Sequence, residues 1–230
     1  MPSDGVVALD GLLNCCFDTV KTGGGEVRTG CRVHGISTND GGCTVETDMG
    51  PIKAKAVINA AGAWAGQVGE MASATPIAFR PMRRHLVWSA TPYPKGRPWT
   101  WWADRPFYMR PESGGVLMSP LDETEVSPPP LNIQPPVDQD VLAVLGETLT
   151  DVAPSLAEYP INRLWCGLRT FSPDRAFVIG WDKTNPHHFW VAGLGGHGIT
   201  SGLAVGGLAS DMIRRRGAGP RVLNPARFAD

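Results

Sequence analysis

The sequence predicts an α/β (α+β) protein in which a discontinuous α/β domain is interrupted by an inserted antiparallel-sheet domain. Three observations carry this. Residues 189–212 read as one strand, turn and helix: an apolar run over 189–192, glycines at 193, 195, 196 and 198, then a helix of small residues. A second apolar run over 55–59 feeds another turn of small residues, Ala60-Ala61-Gly62-Ala63-Trp64. Between the two, residues 77–119 hold alternating, aromatic-rich stretches separated by prolines, as an antiparallel sheet would. At 230 residues and 42% hydrophobic content the chain can bury the core of one large or two modest domains.

The elements follow in order. Val6, Leu9, Leu12, Leu13, Cys16, Phe17 and Val20 recur every three or four positions, which predicts an amphipathic helix over 6–21 that Gly23-Gly24-Gly25 stops. Short strands are expected over 26–29, 32–37, 43–47 after the Asn39-Asp40-Gly41-Gly42 turn, and within 51–59. Residues 55–59 are almost wholly apolar, so that strand is expected at the centre of a sheet. Longer strands are expected over 77–90, 99–102, 107–110 and 116–119, then an extended proline-rich connection over 128–136 and a helix over 137–151. Strands over 159–170, 176–180 and 189–192 restore the α/β pattern. In the last helix Gly202, Ala204, Gly206, Gly207 and Ala209 are expected to let the backbone approach a partner closely. The division that results is an α/β domain over 1–75 and 166–216, an inserted domain over 76–165, and a polar tail over 217–230.

With 21 basic and 22 acidic residues the net charge is −1, so no global field recruits nucleic acid or a membrane surface. Five cysteines, an odd number without a C-x-x-C pair, fit reduced thiols and a cytoplasmic location. No signal peptide and no apolar run of spanning length is present. The five histidines lack metal-ligand spacing, and neither G-x-S-x-G nor a Walker A motif occurs, so metal, serine-hydrolase and P-loop chemistry fall away. Gly193 to Gly198 formally spells G-x-G-x-x-G. A dinucleotide fingerprint requires a second strand ending in an acidic residue about twenty positions on, and none follows. A glycine-rich helix that only packs on a sheet remains an alternative. Even so, a helix starting after a glycine turn aims free N–H groups and a positive dipole end at whatever lies before it.

Arg169 ends an apolar strand, where a guanidinium fork suits a carboxylate; the plainer alternative is an ion pair with Asp174 or Asp182. Tyr108 sits on a strand facing core or pocket, and core is the commoner outcome for such a residue. Arg83 and Arg84 alternate on one strand, so at most one of them is expected to point inward. His187-His188 reads as loop surface. His197 opens the last helix, where such a residue more often fills space at a cap than acts in chemistry.

Three segments carry a resemblance: Val57-Ile58-Asn59-Ala60-Ala61-Gly62-Ala63-Trp64, the stretch from Trp165-Cys166-Gly167-Leu168-Arg169 through Asp174 to Gly180, and His188-Phe189-Trp190-Val191-Ala192 through Gly195-Gly196-His197-Gly198-Ile199. In wording, order and spacing they resemble the FAD-dependent D-amino acid oxidase family, most closely its D-amino acid and D-arginine dehydrogenase branch. The resemblance spans residues 4–216. It implies that Arg169 clamps a substrate carboxylate with help from Tyr108 and Arg84. Gly196 and Ile199 would line the site at the flavin ring, and the helix opening at His197, Gly198, Ile199 and Thr200 after Gly195 would face the ring's N1/C2=O edge. Ala60, Ala61, Gly62 and Trp64, with Arg32 and Val33, would approach the rest of the FAD. The implied chemistry is oxidation of the C–N bond of a small amino acid by hydride transfer to flavin, with no side chain needed as acid or base and no metal.

The resemblance also carries a departure. Family members open with a strand, a G-x-G-x-x-G turn and an acidic ribose ligand, which residues 1–230 do not contain. The expectation is therefore that this polypeptide alone binds FAD weakly or not at all and exposes apolar sheet surface, with a separate FAD-binding chain as a candidate partner. A fragment, a truncated gene product, a degenerate non-catalytic subunit and one half of a split enzyme all fit this departure.

Overall fold

The computed structural model describes residues 7–94, 96–130 and 133–229. In chain order its elements are α1 (Leu9–Thr22), β1 (Val33–Asn39), β2 (Gly42–Thr47), β3 (Ile52–Ala54), β4 (Val57–Asn59), a 3-10 turn (Gly62–Trp64) and α2 (Ala65–Met71). There follow β5 (Arg80–Ser89), β6 (Thr100–Trp102), β7 (Phe107–Glu112), β8 (Gly115–Ser119), β9 (Thr124–Glu125), α3 (Val141–Val152) and α4 (Pro154–Ala157). The chain closes with β10 (Arg163–Phe171), β11 (Val178–Trp181), β12 (His188–Ala192), α5 (Gly198–Arg215) and a 3-10 turn (Pro225–Phe228). Two compact units result: residues 1–79 with 170–230, and Arg80–Arg169.

In the first unit β11, β12 and β4 form a three-stranded sheet, β11 antiparallel and β4 parallel to β12. Strand alternation sends Val178, Trp190 and Ala192 to one face, where they pack with Ala65 and Ile77, and Ile179 and Phe189 to the other, against Val205, Ala209 and Met212 of α5. Both faces are covered, so the strands read as continuous apolar runs. Trp190 lies so close on α2 that a Cβ at Gly69 would fall 2.2 Å from its ring. Asp182 ties the unit together: its carboxylate accepts from the backbone N–H groups of Thr75, Thr184 and Asn185 and from Trp190 Nε1. The strands β1, β2 and β3 make a separate antiparallel sheet.

Several expectations are corrected in this unit. β4 is not central: it ends its sheet, with Ile58 53% exposed and no strand on its outer edge among the described residues. Residues 26–29 form no strand, and Arg28 folds back to pair with Glu26 at 2.6 Å instead. Val6 lies outside the described residues; the helix runs Leu9–Thr22, and its apolar stripe, including Leu9, Leu13, Phe17 and Val20, stays exposed. In α5 the packed side is Val205, Ala209 and Met212, whereas a Cβ at Gly202, Gly206 or Gly207 would meet nothing within 4 Å. Glycine there leaves an open face rather than a close contact. The polar tail is also folded in: Phe228 packs beside Trp190's cluster, and Arg227 grips Asp174 at 2.7 Å and the Ala176 and Phe177 carbonyls.

His188 is no loop residue. It opens β12 and is buried, its Nε2 3.3 Å from Asn59 Nδ2, its ring edge-on to Trp190 at 4.5 Å, and its Nδ1 without a hydrogen bond. Burial pushes its pKa down to about 4.

The second unit is built on one sheet in the order β10-β5-β8-β7-β6, with β9 pairing β5. Val87, Phe107, Met109, Val116 and Met118 point to one face and pack with Leu145 and Leu149 of α3 and Leu156 of α4. Alternation then sends Arg84, Tyr108 and Trp101 to the other face, since Trp101 stands opposite Tyr108 in register. β10 obeys the same rule: Leu164 packs with the core cluster, so Arg169, five positions on, takes the Arg84 face. Residues 131–132 of the proline-rich connection lie outside the described residues.

Candidate functional site

The Arg84 face of the second unit gathers three of the sequence-expected residues. Arg84 is 5% exposed and donates through Nη2 to Glu123 Oε1 at 3.0 Å, while its Nε and Nη1 are buried without a hydrogen bond. Desolvation, followed by the positive charge of Arg169, lowers its pKa; Glu123, Asp122 and Tyr108 oppose this. That mutual influence sets Arg84, Arg169 and Tyr108 within one electrostatic neighbourhood. A buried guanidinium with two unused nitrogens is costly unless an acceptor reaches it.

Arg169 is half-buried and makes no hydrogen bond or ion pair with the described residues. The plainer alternative for it fails on its partners. Asp174 is held by Arg227, which lowers its pKa well below the ordinary carboxylate range, and Asp182 is spent on four N–H donors. The guanidinium fork of Arg169 is therefore open to a ligand. Tyr108 is neither plain core nor free: its ring is buried against Trp99 and Trp101, at 5.6 and 5.7 Å, on the face away from the hydrophobic core cluster.

Arg83 corrects the expectation that at most one of the two neighbouring arginines turns inward. Its side chain is largely buried on the opposite face and bonds the Pro136 carbonyl at 3.1 Å and Asp138 at 2.9 Å. Next to Arg84, His85 donates from Nδ1 to Asp122 Oδ2 at 2.7 Å, because its Nε2 accepts from the Asp138 N–H at 3.0 Å. The His85 N–H also binds Asp122, at 2.8 Å. Two bonds from His85 thus anchor the loop whose next residue, Glu123, is Arg84's counter-ion. The Glu123 partnership escaped sequence reading, because 39 residues separate the pair and no local motif marks it.

The first unit holds the other set. Gly193, Gly195 and Gly196 have φ of 68°, 55° and 86°, left-handed values that favour glycine. The Gly195 N–H donates to the Thr170 carbonyl at 2.9 Å, and the His197 N–H to that of Leu194 at 2.8 Å, which folds the turn under α5. His197 is the residue before the helix and gives no side-chain cap. Its carbonyl is taken by Ser201 N–H and by the Thr200 and Ser201 hydroxyls, leaving the N–H groups of Gly198, Ile199 and Thr200 without a partner among the described residues. Gly195 is the position that tolerates least. A Cβ there would sit 2.7 Å from the Phe171 ring, so Gly195→Ala is expected to destabilise by about 1–3 kcal/mol, more than Gly196→Ala on the exposed side of the turn. Urea unfolding of the two variants checks this.

Ala60 and Gly62 are exposed and Ala61 and Trp64 half-buried after β4. Asn59, missed from sequence, shapes that turn: its Oδ1 accepts from the Ala61 N–H at 3.2 Å and its Nδ2 donates to the Ala65 carbonyl at 2.9 Å. An asparagine ending an apolar strand before small residues was the available signal. Val33 starts the edge strand β1 of the other sheet of this unit, and Arg32 directly precedes it, its N–H and carbonyl both engaged by Asp48. No group of three or more His, Cys, Asp or Glu fit to hold a metal ion occurs among the described residues, and none of their helices is long and apolar enough to cross a membrane.

Dimethylglycine dehydrogenase of Rattus norvegicus mitochondria is 28% identical over 198 residues, covering 76% of this chain and 22% of that protein. Among solved structures, L-proline dehydrogenase from P. horikoshii superposes with a TM-score of 0.80 at 25% identity, covering 92% of this chain and 57% of the other. Glycine oxidase from Geobacillus kaustophilus shares the fold, with a TM-score of 0.74 at 21% identity over 90% of this chain and 54% of its own. The chain thus spans less than two thirds of the length of each of these proteins. The model of the DAO family, described as FAD dependent oxidoreductase, matches residues 1–212, and the turn before α5, the turn after β4 and the arginine-bearing face all fall inside it. By that match the chain belongs to the DAO family of FAD-dependent oxidoreductases.

Proposed function

We propose that this chain forms the substrate-binding part, and a portion of the FAD-binding part, of an enzyme that oxidises the C–N bond of a small amino acid. The observation that carries this reading is the open Arg169 fork beside Arg84, whose buried Nε and Nη1 lack a partner. Two guanidiniums and a phenol supply more donors than the unit itself uses, and a carboxylate accepts from all of them. The clamp would fix the carboxylate and with it the α-carbon, which is the positioning such a reaction requires. No side chain is assigned a proton to move. The substrates in the names of dimethylglycine dehydrogenase and glycine oxidase are carboxylate-bearing amines, as the clamp would demand. A D-amino acid is proposed within this class on the sequence resemblance alone.

FAD fits the first unit on the chemistry of its donors. Unpartnered N–H groups at Gly198, Ile199 and Thr200 suit the acceptor edge of the ring, and the α5 dipole would favour negative charge there. When bound, FAD supplies the two-electron acceptor. Gly195 and Gly196 keep the backbone bare beside it, and Ala60, Ala61, Gly62, Trp64, Arg32 and Val33 are proposed to approach its remaining parts. Five free cysteines support the proposal of a reducing compartment, the cytoplasm.

A second reading has its own support. The outer edge of β4, unpaired among the described residues, and the exposed stripe of α1 would suit another polypeptide carrying the dinucleotide-binding strands, so that catalysis needs both.

The test uses the 230-residue chain, titrated with FAD and followed by flavin absorbance, and separately with acetate, followed by ligand-observed NMR. Arg169→Ala is expected to weaken acetate binding about 100-fold. Acetate binding that is indifferent to Arg169 would sink the clamp. Flavin uptake by the chain alone supports the first reading, and uptake only beside a dinucleotide-binding polypeptide supports the second. Where flavin binds, D-alanine, L-alanine, glycine and sarcosine separate the substrate class, and turnover of the L-isomer alone refutes the D-proposal.

A further inference from the structure

We infer that Trp101, beside Tyr108, forms a side-chain subsite for a substrate carrying an aromatic or long apolar group, so that the preferred amine is larger than glycine. This rests on reading Arg84, Arg169 and Tyr108 as the carboxylate clamp. Tyr108 is the residue shared by both halves. It lies in the electrostatic neighbourhood of Arg84, and its ring meets Trp101 at 5.7 Å and Trp99 at 5.6 Å.

The tryptophans are placed where a core would not need them. Trp101 is 60% exposed and Trp99 46% exposed, and both stand beside a tyrosine that is itself buried. Two large indoles held open to solvent, on the same sheet face as the unused Arg84 nitrogens and across it from them, form an amphipathic surface of the kind that binds organic acids. The two rings differ in availability. The Arg110 guanidinium lies over the Trp99 ring at 5.4 Å and is held there by Glu112 at 2.5 Å. Trp99 is therefore occupied by a cation already, and the positive charge disfavours a cationic side chain in its vicinity. Trp101 is left as the open aromatic face.

Register sets the scale of the ligand. Trp101 on β6 and Arg84 on β5 share a sheet face and are separated by β8 and β7. Three strand spacings come to about 14 Å across the sheet, and the pairing sets Trp101 in the row of Leu86, so Arg84 is displaced a further two residues, about 7 Å, along β5. Side chains rising from both ends shorten that span, and a group of four or five bonds, about 6 Å at roughly 1.5 Å each, reaches across where a glycine-sized ligand does not. An aryl ring at its end would stack against Trp101 in the offset or tilted manner that the Tyr108 contacts already show.

Two carboxylates test this on the full chain by isothermal titration calorimetry and ligand-observed NMR: acetate, which fills only the clamp, and 3-phenylpropanoate, which adds the aryl arm. The wild type is expected to bind 3-phenylpropanoate about tenfold or more tighter than acetate. Trp101→Ala, at an exposed position where refolding of a core is not required, should abolish that preference and leave acetate within about twofold, while Trp101→Phe retains most of it. Equal affinity of the two acids in a protein where Arg169→Ala weakens both overturns the subsite and spares the clamp. A preference that survives Trp101→Ala also overturns it. Binding of 3-phenylpropanoate that ignores Arg169 marks a nonspecific apolar patch, and absence of binding by either acid removes the clamp and the subsite together.

Discussion

Asp182→Ala is expected to remove about 3–5 kcal/mol of stability, enough to unfold much of the first unit at ambient temperature. The side chain is small, but its carboxylate accepts from several buried donors at once. Both oxygens take the Thr75 N–H, at 3.1 and 3.0 Å; Oδ1 adds those of Thr184 and Asn185, and Oδ2 the Trp190 indole at 2.9 Å. Burial by itself would raise its pKa, yet the donors together hold it below the usual value, which means the ionised form is the one the fold requires. Alanine would strand the buried Thr75 and Asn185 N–H groups and the Trp190 indole N–H away from water, each at about 1–3 kcal/mol before relaxation, and would free Trp190 from its seat on α2. Urea denaturation monitored by far-ultraviolet circular dichroism checks the figure. A midpoint shift equivalent to less than about 1 kcal/mol would show that water or neighbouring carbonyls replace the carboxylate.

The second large effect is loss of stability in mild acid through His188. Its pKa in the folded chain is about 4, against an ordinary 6.5, because protonation would place a charge in a buried, largely apolar setting. The unfolded chain therefore binds more protons between those values, so stability is complete above about pH 6.5 and falls as pH drops toward 4. The depressed carboxylates Asp174 and Asp182 have the same sign but act lower, as pH falls below the ordinary aspartate value of 3.8. The window above them belongs to His188, and the loss across it is on the order of 3 kcal/mol. His188→Gln should flatten the stability profile between pH 6.5 and 4 while lowering the plateau, since glutamine neither titrates nor fills the imidazole's place beside Asn59 and Trp190. An unchanged slope in that variant would assign the acid sensitivity elsewhere.

The parts of this fold that periodicity reached are those where burial and sequence order coincide. The strands of the second unit alternate because one face meets α3 and the other carries Arg84, Tyr108 and Trp101. β11 and β12 read as apolar runs because both their faces are packed. What periodicity missed depends on neighbours it could not locate. The apolar run ending at Asn59 looked central, but whether a strand is central is decided by what pairs with its far edge, and β4 has nothing there among the described residues. The glycines of α5 looked like a packing face, yet the lack of a side chain permits approach without supplying anything to approach. His188 adjoins a loop in sequence and lies under Trp190 in space. Within the candidate site, a basic residue ending a strand was legible at Arg169, whereas its freedom to bind a ligand hung on Asp174 and Asp182 being engaged by residues from distant stretches.

The pairing of β4 with β12 has a consequence for synthesis. Asn59 stands opposite Trp190, so a strand made early waits for a partner translated about 130 residues later. At roughly 5–20 residues per second, that is about 7–26 s on the ribosome with a short apolar strand unpaired. Arg80–Arg169 is continuous and can close its own sheet during that delay. The nascent chain is then expected to display a folded insert with open ends on either side, and a chaperone that shields apolar strands would be engaged by residues 7–79 until β12 emerges.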